Sequence, residues 1–492
     1  FWLKGERGAG SAGSAPHPAL RARAKGGRAM PGGAGGASGS HYVLGGGADD
    51  PADEGKTTTV AEPMRIRRHL TPPSSKTLLA MVGLPARGKS FISYRAALFF
   101  NWVGVSARVF NVGNHRRTAE QAEDQSASYF DPDNEEAKRS REKLAEEVLV
   151  EVLQWLDTQT TAVAIFDATN STVARRRRVQ TLVSDHNAAY SVIFVESRCN
   201  DEEMIEANVR AKVTRSPDYE SMDYEVARRD FLSRMDMYRQ AYEAVGESCD
   251  EQDLSYIKML NLSAHVEVHK VYGRATSSLL PYLMAVHIGS RAVWLMRLPE
   301  SATEAQGSSR ITYSDSEMSS AGTEFAQRFA AYVDASEEMR SSRLFVCTHR
   351  RALDLAAMLD REGQRTHVHP LLNPMDWGAY EGIPRRDFKE KTDAKFYQAF
   401  QKDPINTRFP GGECYVDFVR RLQPVVIEIE QQLDPVILIA PSSVVQVLHC
   451  YFANSPVSEA SEVVIPRHSV EVWTPSGAGF RRQSIGSEDM CV

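Results

Sequence analysis

One short run near residue 85 combines glycine, lysine and serine at a spacing that suits phosphate binding. It reads Gly83-Leu84-Pro85-Ala86-Arg87-Gly88-Lys89-Ser90, which fits G-x-x-x-x-G-K-[ST]. Glycines let backbone N–H groups approach phosphate oxygens, and the following helix adds the positive end of its dipole. Lys89 would reach the β- and γ-phosphates of a nucleotide, and Ser90 would ligate Mg²⁺. The alternative is a glycine-rich turn with an incidental lysine.

A carboxylate ends a second apolar segment. Asp167 directly follows the predicted strand 162–166, at the edge where α/β folds place their ligands. There it could join the water shell of Mg²⁺ or accept the proton of an attacking hydroxyl group. It could instead cap the helix that follows.

Arginines follow several predicted strand ends or lie on nearby helices. They are Arg116, Arg117, the run Arg175-Arg176-Arg177-Arg178, Arg141 and Arg234. A guanidinium fork binds two phosphate oxygens in one plane, which suits phosphate better than the lysine ammonium does. Any one of these arginines could be solvated surface, but several together favour an anionic acceptor such as a phosphorylated sugar.

The elements that position these residues alternate between strand and helix. Strands are predicted over 77–82, 108–112, 162–166 and 191–195, and helices over 91–103, 135–156, 175–184 and 202–213. This alternation predicts an α/β fold with a parallel sheet and helices on both faces. A helical region is predicted over roughly 225–290. A second α/β pattern follows, with strands at 293–296, 344–347 and 435–439.

Composition excludes several classes of protein. The chain has 492 residues, so at about 150 residues per domain two to three domains are expected. A net charge of −6 argues against nucleic-acid binding through bulk positive charge, and no apolar run is long enough for a membrane helix. The six cysteines are widely spaced, which favours a reducing, cytoplasmic location. Gly, Ala, Ser and Pro make up 31 of the first 50 residues, which predicts a disordered extension over 1–75.

Taken together, the motifs resemble the bifunctional 6-phosphofructo-2-kinase/fructose-2,6-bisphosphatase family. Besides the run that ends at Ser90, the matching segments are Val109-Phe110-Asn111-Val112-Gly113, Pro132-Asp133-Asn134-Glu135-Glu136-Ala137, Phe166-Asp167-Ala168-Thr169-Asn170, Val195-Glu196-Ser197, Ser216-Pro217-Asp218-Tyr219 and Leu254-Ser255-Tyr256-Ile257-Lys258. The resemblance covers residues 77 to about 285 and continues more weakly to about 475. It implies a P-loop kinase domain over 76–285, a histidine-phosphatase-like α/β domain over 286–475 and a regulatory tail over 476–492.

The resemblance also implies roles for individual residues, with ATP and Mg²⁺ as cofactors and fructose 6-phosphate as acceptor. The P-loop, which is the run from Gly83 to Ser90, would bind ATP together with Asn208. Ser90 and Asp167 would hold the metal, and Asp167 would also be the essential acid. Lys89, Asp167, Arg116 and Arg175 are the implied catalytic residues. The implied sugar-phosphate contacts are Arg116, Arg141, Thr169, Arg175, Lys212, Arg234 and Tyr238. Lys212 departs from the animal members, whose lysine falls at the position of Val213 here.

Two further features are weaker. Cys199 matches a family cysteine near the site, although a single cysteine at a strand end is more often simply packed. Members of the family are often homodimers, so the resemblance implies a homodimer here.

The resemblance breaks where the phosphatase chemistry should lie. That chemistry needs a nucleophilic histidine, a glutamate proton donor and a second histidine, but Leu298, Pro374 and Pro441 stand at those positions. Leucine cannot form a phosphoenzyme, and proline cannot donate a proton. The sequence therefore predicts a kinase whose bisphosphatase half is inactive.

Two alternatives stay open, together with one regulatory feature. The chain could be a P-loop kinase or ATPase of other specificity, or a non-catalytic regulator that binds nucleotide or sugar phosphate. Ser484 follows Arg481-Arg482-Gln483 in a tail expected to be mobile, which fits a site for a regulatory protein kinase. Phosphate there would add roughly −1.5 to −2 charges.

Overall fold

The protein is described by a computed structural model. It covers residues 75–118, 129, 133–220, 222–262, 264–287, 289, 291–306, 315–384, 387–477 and 479–490. The extension predicted to be disordered, residues 1–75, lies outside the described residues except for its last position. Among the described helices none is long and apolar enough to cross a membrane.

The first half of the chain builds a six-stranded sheet. Its strands are β1 (Lys76–Val82), β2 (Ser106–Asn111), β3 (Ala162–Asp167), β4 (Ser191–Arg198), β5 (Tyr256–Leu260) and β6 (His265–His269). They lie in the order β2-β3-β1-β4-β5-β6, and every neighbouring pair is parallel except β5 with β6. The carboxyl ends of β1, β2, β3 and β4 therefore meet at one edge of the sheet.

Helices cover both faces of this sheet, as the alternation predicts. They are α1 (Lys89–Trp102), α2 (Val112–Thr118), α3 (Glu135–Thr158), α4 (Val173–His186), α5 (Glu202–Arg215), α6 (Tyr224–Gln240) and α7 (Arg274–Ala285). Successive residues of β1 point to opposite faces. Leu79 joins the core that contains α1, whereas Leu78 joins the core that contains α3 and α4.

The region around residues 225–290 corrects the sequence prediction. We expected helix throughout, but strands β5 and β6 lie between α6 and α7. The short edge strand β6 runs antiparallel to β5, so the sheet is mixed rather than wholly parallel. Both strands are only five residues long, and β6 is largely exposed, so neither gives a strong apolar signal.

The second half builds another mixed six-stranded sheet. Its strands are β7 (Val293–Arg297), β8 (Arg343–Val346), β9 (Thr366–Val368), β10 (Val436–Ala440), β11 (Ser469–Ser476) and β12 (Gly479–Gly486), in the order β12-β11-β7-β10-β8-β9. Strands β7, β10, β8 and β9 are mutually parallel, whereas β11 is antiparallel to β7 and β12 is antiparallel to β11. Its helices are α8 (Ala302–Ala305), α9 (Ser320–Ala335), α10 (Glu337–Arg340), α11 (Arg350–Leu359), α12 (Phe388–Lys391), α13 (Ala394–Lys402), α14 (Tyr415–Gln431) and α15 (Ser442–Ala453).

The segment predicted as a mobile tail is instead part of this sheet. Residues Gly479–Gly486 form the edge strand β12, and Ser484 pairs in register with Glu471 of β11. Ser484 is exposed on this strand. The expectation of a mobile tail is therefore wrong for these residues, because the backbone of β11 satisfies their hydrogen bonds.

One hydrophobic core runs through both halves of the chain. It includes Leu79 and Ile165 of the first sheet and Val293 and Ile439 of the second. Helix α1 joins the two, since Ala96, Phe99 and its other buried residues belong to the same cluster.

Candidate functional site

The turn between β1 and α1 is shaped by its glycines. Gly83 has φ 137° and Gly88 has φ 83°, conformations that favour glycine. A Cβ at Gly83 would also meet the Ser197 carbonyl oxygen, so a larger residue cannot fit there. The turn leads directly into α1, whose first residues are Lys89 and Ser90. The N-terminus of this helix, with the positive end of its dipole, makes the turn suited to an anion.

Lys89 lies at the centre of the turn. Its Nζ donates a hydrogen bond to the Leu84 carbonyl oxygen at 2.7 Å. Burial lowers the pKa of the ammonium to about 8, although the nearby Asp167 carboxylate raises it in part, and Lys212 and Arg87 lower it further. A phosphate group here would restore the favourable environment of the charged ammonium.

Asp167 lies at the end of β3, beside the P-loop, and is only 4% exposed. Asn111 pairs with it in register, and the Asn111 side-chain amide donates to Asp167 Oδ2 at 2.5 Å. Asp167 does not cap the next helix, because the Thr172 side chain accepts the hydrogen bond from the Arg175 N–H at the start of α4. The carboxylate therefore faces the site.

Asn208, which the resemblance assigns to ATP, supports the P-loop directly. It lies on α5, and its side-chain amide donates to the Ala86 carbonyl oxygen at 3.1 Å. Ala86 has φ 58°, a conformation that a non-glycine residue adopts only when its surroundings hold it. The hydrogen bond from Asn208 provides part of that restraint.

Two of the predicted arginines meet at one carboxylate. Arg116 Nη2 lies 2.5 Å from Asp218 Oδ2, and Arg234 Nη1 lies 3.5 Å from the same oxygen. Arg234 also pairs with Asp230 at 2.7 Å and is only 6% exposed. Asp218 thus fixes two guanidinium groups close together. Sequence analysis missed this role, although Asp218 lies in one of the segments that carry the family resemblance.

Tyr238 brings three further predicted residues to the same place. Burial raises the pKa of its hydroxyl, while the charges of Arg141 and Arg116 act in the opposite direction and Thr169 forms a side-chain hydrogen bond with it. Arg141 on α3 contacts the backbone of Tyr129. Arg116, Arg141, Thr169, Arg234 and Tyr238 therefore surround one region next to Asp167.

The arginine run on α4 does not act as a cluster. Arg176 is fully buried and pairs with Glu251 at 2.6 Å, Arg177 pairs with Asp253 at 2.6 Å, and Arg178 pairs with Glu146 at 2.8 Å. Consecutive residues of a helix point in different directions, so they cannot share one ligand.

Arg175 is the member of the run closest to Tyr238. Among the described residues, its guanidinium forms no ion pair with a carboxylate within 4.0 Å, unlike the other three arginines. Burial lowers the pKa of this group, and the charges of Glu142, Glu146 and Tyr238 raise it. Of the four arginines, only Arg175 suits an anionic ligand.

A cavity of about 690 Å³ opens beside the P-loop. Its lining is mixed. Leu84, Ile205, Leu232, Met235 and Leu260 form apolar walls, and charged side chains that include Arg87, Arg198, Glu206, Asp236 and Arg239 line it as well. Cys199 lies in the same wall, half-buried, with its Sγ 3.6 Å from Met204 Sδ. Lys212 is exposed on α5 but lies close enough to lower the pKa of Lys89, whereas Val213 is buried in a packing cluster.

The predicted phosphatase positions occupy the corresponding edge of the second sheet. Leu298 follows β7 and is 7% exposed, and its N–H donates to the Ala440 carbonyl oxygen at 3.0 Å. Pro441 follows β10, so the two residues lie on adjacent strand ends. The Pro374 carbonyl oxygen accepts a hydrogen bond from Arg421 at 2.9 Å.

Two arginines at this second edge are paired with a carboxylate of the protein. Arg351 Nη1 lies 3.0 Å from Glu304 Oε2, and Arg297 Nη2 lies 3.6 Å from Glu304 Oε1. Burial alone would raise the pKa of Glu304, but the Ser301 N–H and these two arginines outweigh it and lower the pKa. The glutamate is therefore charged and bridges both arginines, and its single negative charge offsets one of their two positive charges.

The fold and the site define a two-part protein, with a P-loop phosphotransferase-like half followed by a histidine-phosphatase fold. The 6-phosphofructo-2-kinase family model matches residues 67–290, and the histidine phosphatase superfamily (branch 1) model matches residues 293–487. The chain is 34% identical over 409 residues to human 6-phosphofructo-2-kinase/fructose-2,6-bisphosphatase 4, which covers 83% of this chain and 84% of that protein. The chain belongs to the 6-phosphofructo-2-kinase/fructose-2,6-bisphosphatase family.

The chain is also similar to a second curated relative and to a solved structure. The rat protein 6-phosphofructo-2-kinase/fructose-2,6-bisphosphatase 1 is 34% identical over 412 residues, covering 84% of each chain. Among solved structures, an alpha-ribazole phosphatase from Shigella flexneri is similar over 41% of this chain and 98% of its own, with 18% identity and a TM-score of 0.36.

Proposed function

We propose that the protein transfers the γ-phosphoryl group of ATP to the 2-hydroxyl of fructose 6-phosphate, giving fructose 2,6-bisphosphate. The observation that carries this proposal is that Lys89, Asp167 and an arginine pair held by Asp218 all lie at one edge of the first sheet. Family membership adds support, since the relatives are named for this activity.

The nucleotide would bind with its phosphates on the P-loop amides. Lys89 would pair with the β- and γ-phosphates and stabilise the charge that develops on the transferring group. The cavity beside Leu84 has the volume for a nucleotide base and offers apolar side chains among its charged ones for the base to pack on. Asn208 would keep the loop in its binding shape through Ala86.

The acceptor would be held by the arginines and Tyr238. Arg116 and Arg234 are already oriented by Asp218, so little conformational entropy is lost when they bind a sugar phosphate. The 2-hydroxyl oxygen forms a bond to the γ-phosphorus while the bond from phosphorus to the ADP oxygen breaks. Asp167, oriented by Asn111, accepts the hydroxyl proton.

The residues at the P-loop also fit a magnesium ion. Mg²⁺ is commonly held by one or two protein oxygen ligands together with substrate phosphates and water. Ser90 supplies a hydroxyl group at the start of α1, and the charged neighbourhood of Lys89 shows that Asp167 is close. The ion would supply charge neutralisation for the phosphates, and Ser90 and Asp167 are the residues that would hold it.

We further propose that the second half has no bisphosphatase activity. Leu298 is buried and has no nucleophilic atom, and Pro441 cannot accept or donate a proton. Phosphate release from fructose 2,6-bisphosphate should therefore be absent.

The kinase proposal is tested with purified protein, Mg-ATP and fructose 6-phosphate. The expected result is an acid-labile fructose 2,6-bisphosphate that the Lys89→Met variant does not form. ATP hydrolysis without this product, or phosphorylation of another acceptor, would show a P-loop enzyme of other specificity. Tight binding of both ligands with no turnover would show a non-catalytic regulator.

The phosphatase proposal needs a separate assay. Fructose 2,6-bisphosphate labelled at the 2-phosphate is incubated with the protein, and the reaction is quenched in alkali to trap a phosphohistidine. We expect neither labelled protein nor released phosphate. Release of labelled phosphate faster than in a sample without protein would overturn the proposal.

Three expectations stay predictions: a cytoplasmic location, a homodimer, and a regulatory protein kinase that acts on Ser484. The exposed position of Ser484 on an edge strand is compatible with modification.

A further inference from the structure

Helix α1, which begins with Lys89 and Ser90, is buried on nearly all sides. Its side chains join the same hydrophobic cluster as Leu79 and Ile165 of the first sheet and as Ile429 and Val447 of the second half. A helix that is apolar around its whole circumference is a core helix. The helix that opens the phosphate site therefore has the histidine-phosphatase-like half as one of its walls.

Arg95, Phe99 and Trp102 lie on one face of α1, because their spacing places them on one side of the helix. In the described part of the chain, Arg95 and Trp102 bond directly to that wall, whereas Phe99 packs on α7 of the first half. Arg95 Nη2 lies 2.5 Å from Glu430 Oε2 on α14, and the Trp102 indole N–H donates to the Val447 carbonyl oxygen on α15 at 3.0 Å. Phe99 stacks on Tyr282 of α7, with 4.2 Å between ring centroids.

Glu430 is the centre of a buried polar network. It has no exposed surface and is reached by Arg95, by Arg291 at 3.3 Å and by the Tyr451 hydroxyl at 2.6 Å. Tyr451 in turn lies 2.9 Å from the Tyr282 hydroxyl. The Phe480 ring of β12 covers the Arg95 guanidinium, with 4.5 Å to the ring centroid.

Such a network fixes geometry more than it adds stability. Apolar contacts tolerate sliding, whereas hydrogen bonds between a guanidinium and a carboxylate have a narrow range of distance and angle. Arg95 lies six residues after Lys89, which is about 9 Å along the helix axis. If α1 moves at Arg95, Lys89 and Ser90 at its first turn therefore move with it.

We propose that Arg95 and Glu430 are positioning residues for phosphoryl transfer, and that they make nucleotide binding depend on the histidine-phosphatase-like half. The inference rests on the proposed kinase function. It gives that half a role in the reaction that needs none of the histidines missing at Leu298 and Pro441.

The test compares two Arg→Lys variants of the full chain. Arg95→Lys keeps the charge but loses the planar fork. Arg421→Lys is the control, because Arg421 of α14 also pairs with a glutamate, Glu413 just before that helix, at 2.7 Å, while its other hydrogen bonds go to backbone carbonyl oxygens of residues 371–374 and not to α1. ATP affinity is measured by calorimetry, KM for each substrate by steady-state kinetics, and unfolding by thermal melts, at a temperature where both variants are folded.

A positioning role predicts that the two variants differ in their affinity for ATP. Arg95→Lys should raise the Kd and KM for ATP about tenfold and leave the KM for fructose 6-phosphate within about twofold. Arg421→Lys should lower the melting temperature by a similar amount and leave both KM values unchanged. If Arg95→Lys keeps the wild-type ATP affinity, the inference is overturned and the pair is only structural.

Two further outcomes remain informative. If Arg95→Lys does not fold, Tyr451→Phe removes a single hydroxyl from Glu430 and should still weaken ATP binding measurably, and an unchanged Kd there would overturn the inference. If the wild type binds ATP but forms no fructose 2,6-bisphosphate, the proposed function fails. The calorimetric comparison of Arg95→Lys with Arg421→Lys decides the inference in that case too.

Discussion

Lys89 is a lysine whose charge depends on its ligand. In the free protein its pKa is lowered to about 8 by burial, so part of the population is neutral at mildly alkaline pH. Anionic phosphates favour the ammonium, and nucleotide binding should therefore raise this pKa and take up a proton. The charged form of Lys89 predominates below pH 8 and is lost as the pH rises above 8.

This argument predicts a pH-dependent affinity for ATP. The Kd for ATP should rise about tenfold between pH 7 and pH 9, because the protonated fraction of Lys89 falls by that factor. Calorimetry at pH 8.5 in two buffers of different ionisation enthalpy should show proton uptake. Lys89→Arg is the control, since its guanidinium stays charged and its affinity should be flat with pH. A wild-type Kd that is equally flat would contradict the assignment.

Asp167 gives a second prediction at this scale. Asp167→Asn keeps the size of the side chain but cannot accept a proton, so kcat should fall about 10²–10⁴-fold. Because the same carboxylate is proposed to hold Mg²⁺, the KM for Mg-ATP should rise as well. Asp253→Asn serves as the control, because Asp253 pairs with Arg177 on the surface and should retain activity. A comparable loss in both variants would show that stability, and not proton transfer, is affected.

Helix α4 shows how one element separates structural from functional arginines. Arg176 points into the protein, where Glu251 and backbone carbonyl oxygens of the 243–244 segment satisfy it. Arg175, one residue earlier, is also largely buried, but its charge interacts with Glu142, Glu146 and Tyr238 instead. The run alone does not distinguish these four arginines; the family resemblance singles out Arg175, and the partners of the other three in the structure agree with that choice.

Replacing Arg176 should therefore affect stability, whereas replacing Arg175 should affect substrate binding. Arg176→Met leaves a buried, unpaired Glu251 and should reduce the free energy of unfolding by about 3–5 kcal/mol. Arg175→Met should leave the free energy of unfolding nearly unchanged. It should raise the KM for fructose 6-phosphate tenfold or more, which corresponds to a loss of about 1.5–3 kcal/mol of binding free energy. Urea unfolding and steady-state kinetics measure the two effects. A large loss of stability in Arg175→Met would remove it from the site.

The predictability of the elements follows their burial. Strands β1, β3 and β10 are buried along their length, and their apolar runs gave correct predictions. The edge strands β6 and β12 are mostly exposed and carry His, Glu, Arg and Ser, so no apolar pattern marks them. Their strand conformation comes from pairing with a neighbour, which a local pattern does not contain.

At the scale of the whole molecule, the contacts that matter most are remote in sequence. Arg95 and Glu430 are 335 positions apart. A lone arginine within the apolar helix that follows the P-loop was a signal that could have been noticed, but its partner could not have been named. The same holds for Asp218 and Arg116, 102 positions apart.

The shared core predicts how the molecule unfolds. Because one hydrophobic cluster joins both sheets through α1, the two halves should melt in a single cooperative transition. Differential scanning calorimetry should give one peak whose calorimetric and van't Hoff enthalpies agree. Two separated peaks would mean that the halves are independent and that α1 does not couple them.

The central claim is a kinase without the opposing phosphatase, and a single time course tests it most directly. The protein is given fructose 6-phosphate with a limiting amount of ATP labelled at the γ-phosphate, and the label is followed after the ATP is exhausted. We expect the label to accumulate in fructose 2,6-bisphosphate and to stay there at a constant level. A decline of this product with matching release of inorganic phosphate, faster than in a sample without protein, would contradict the account.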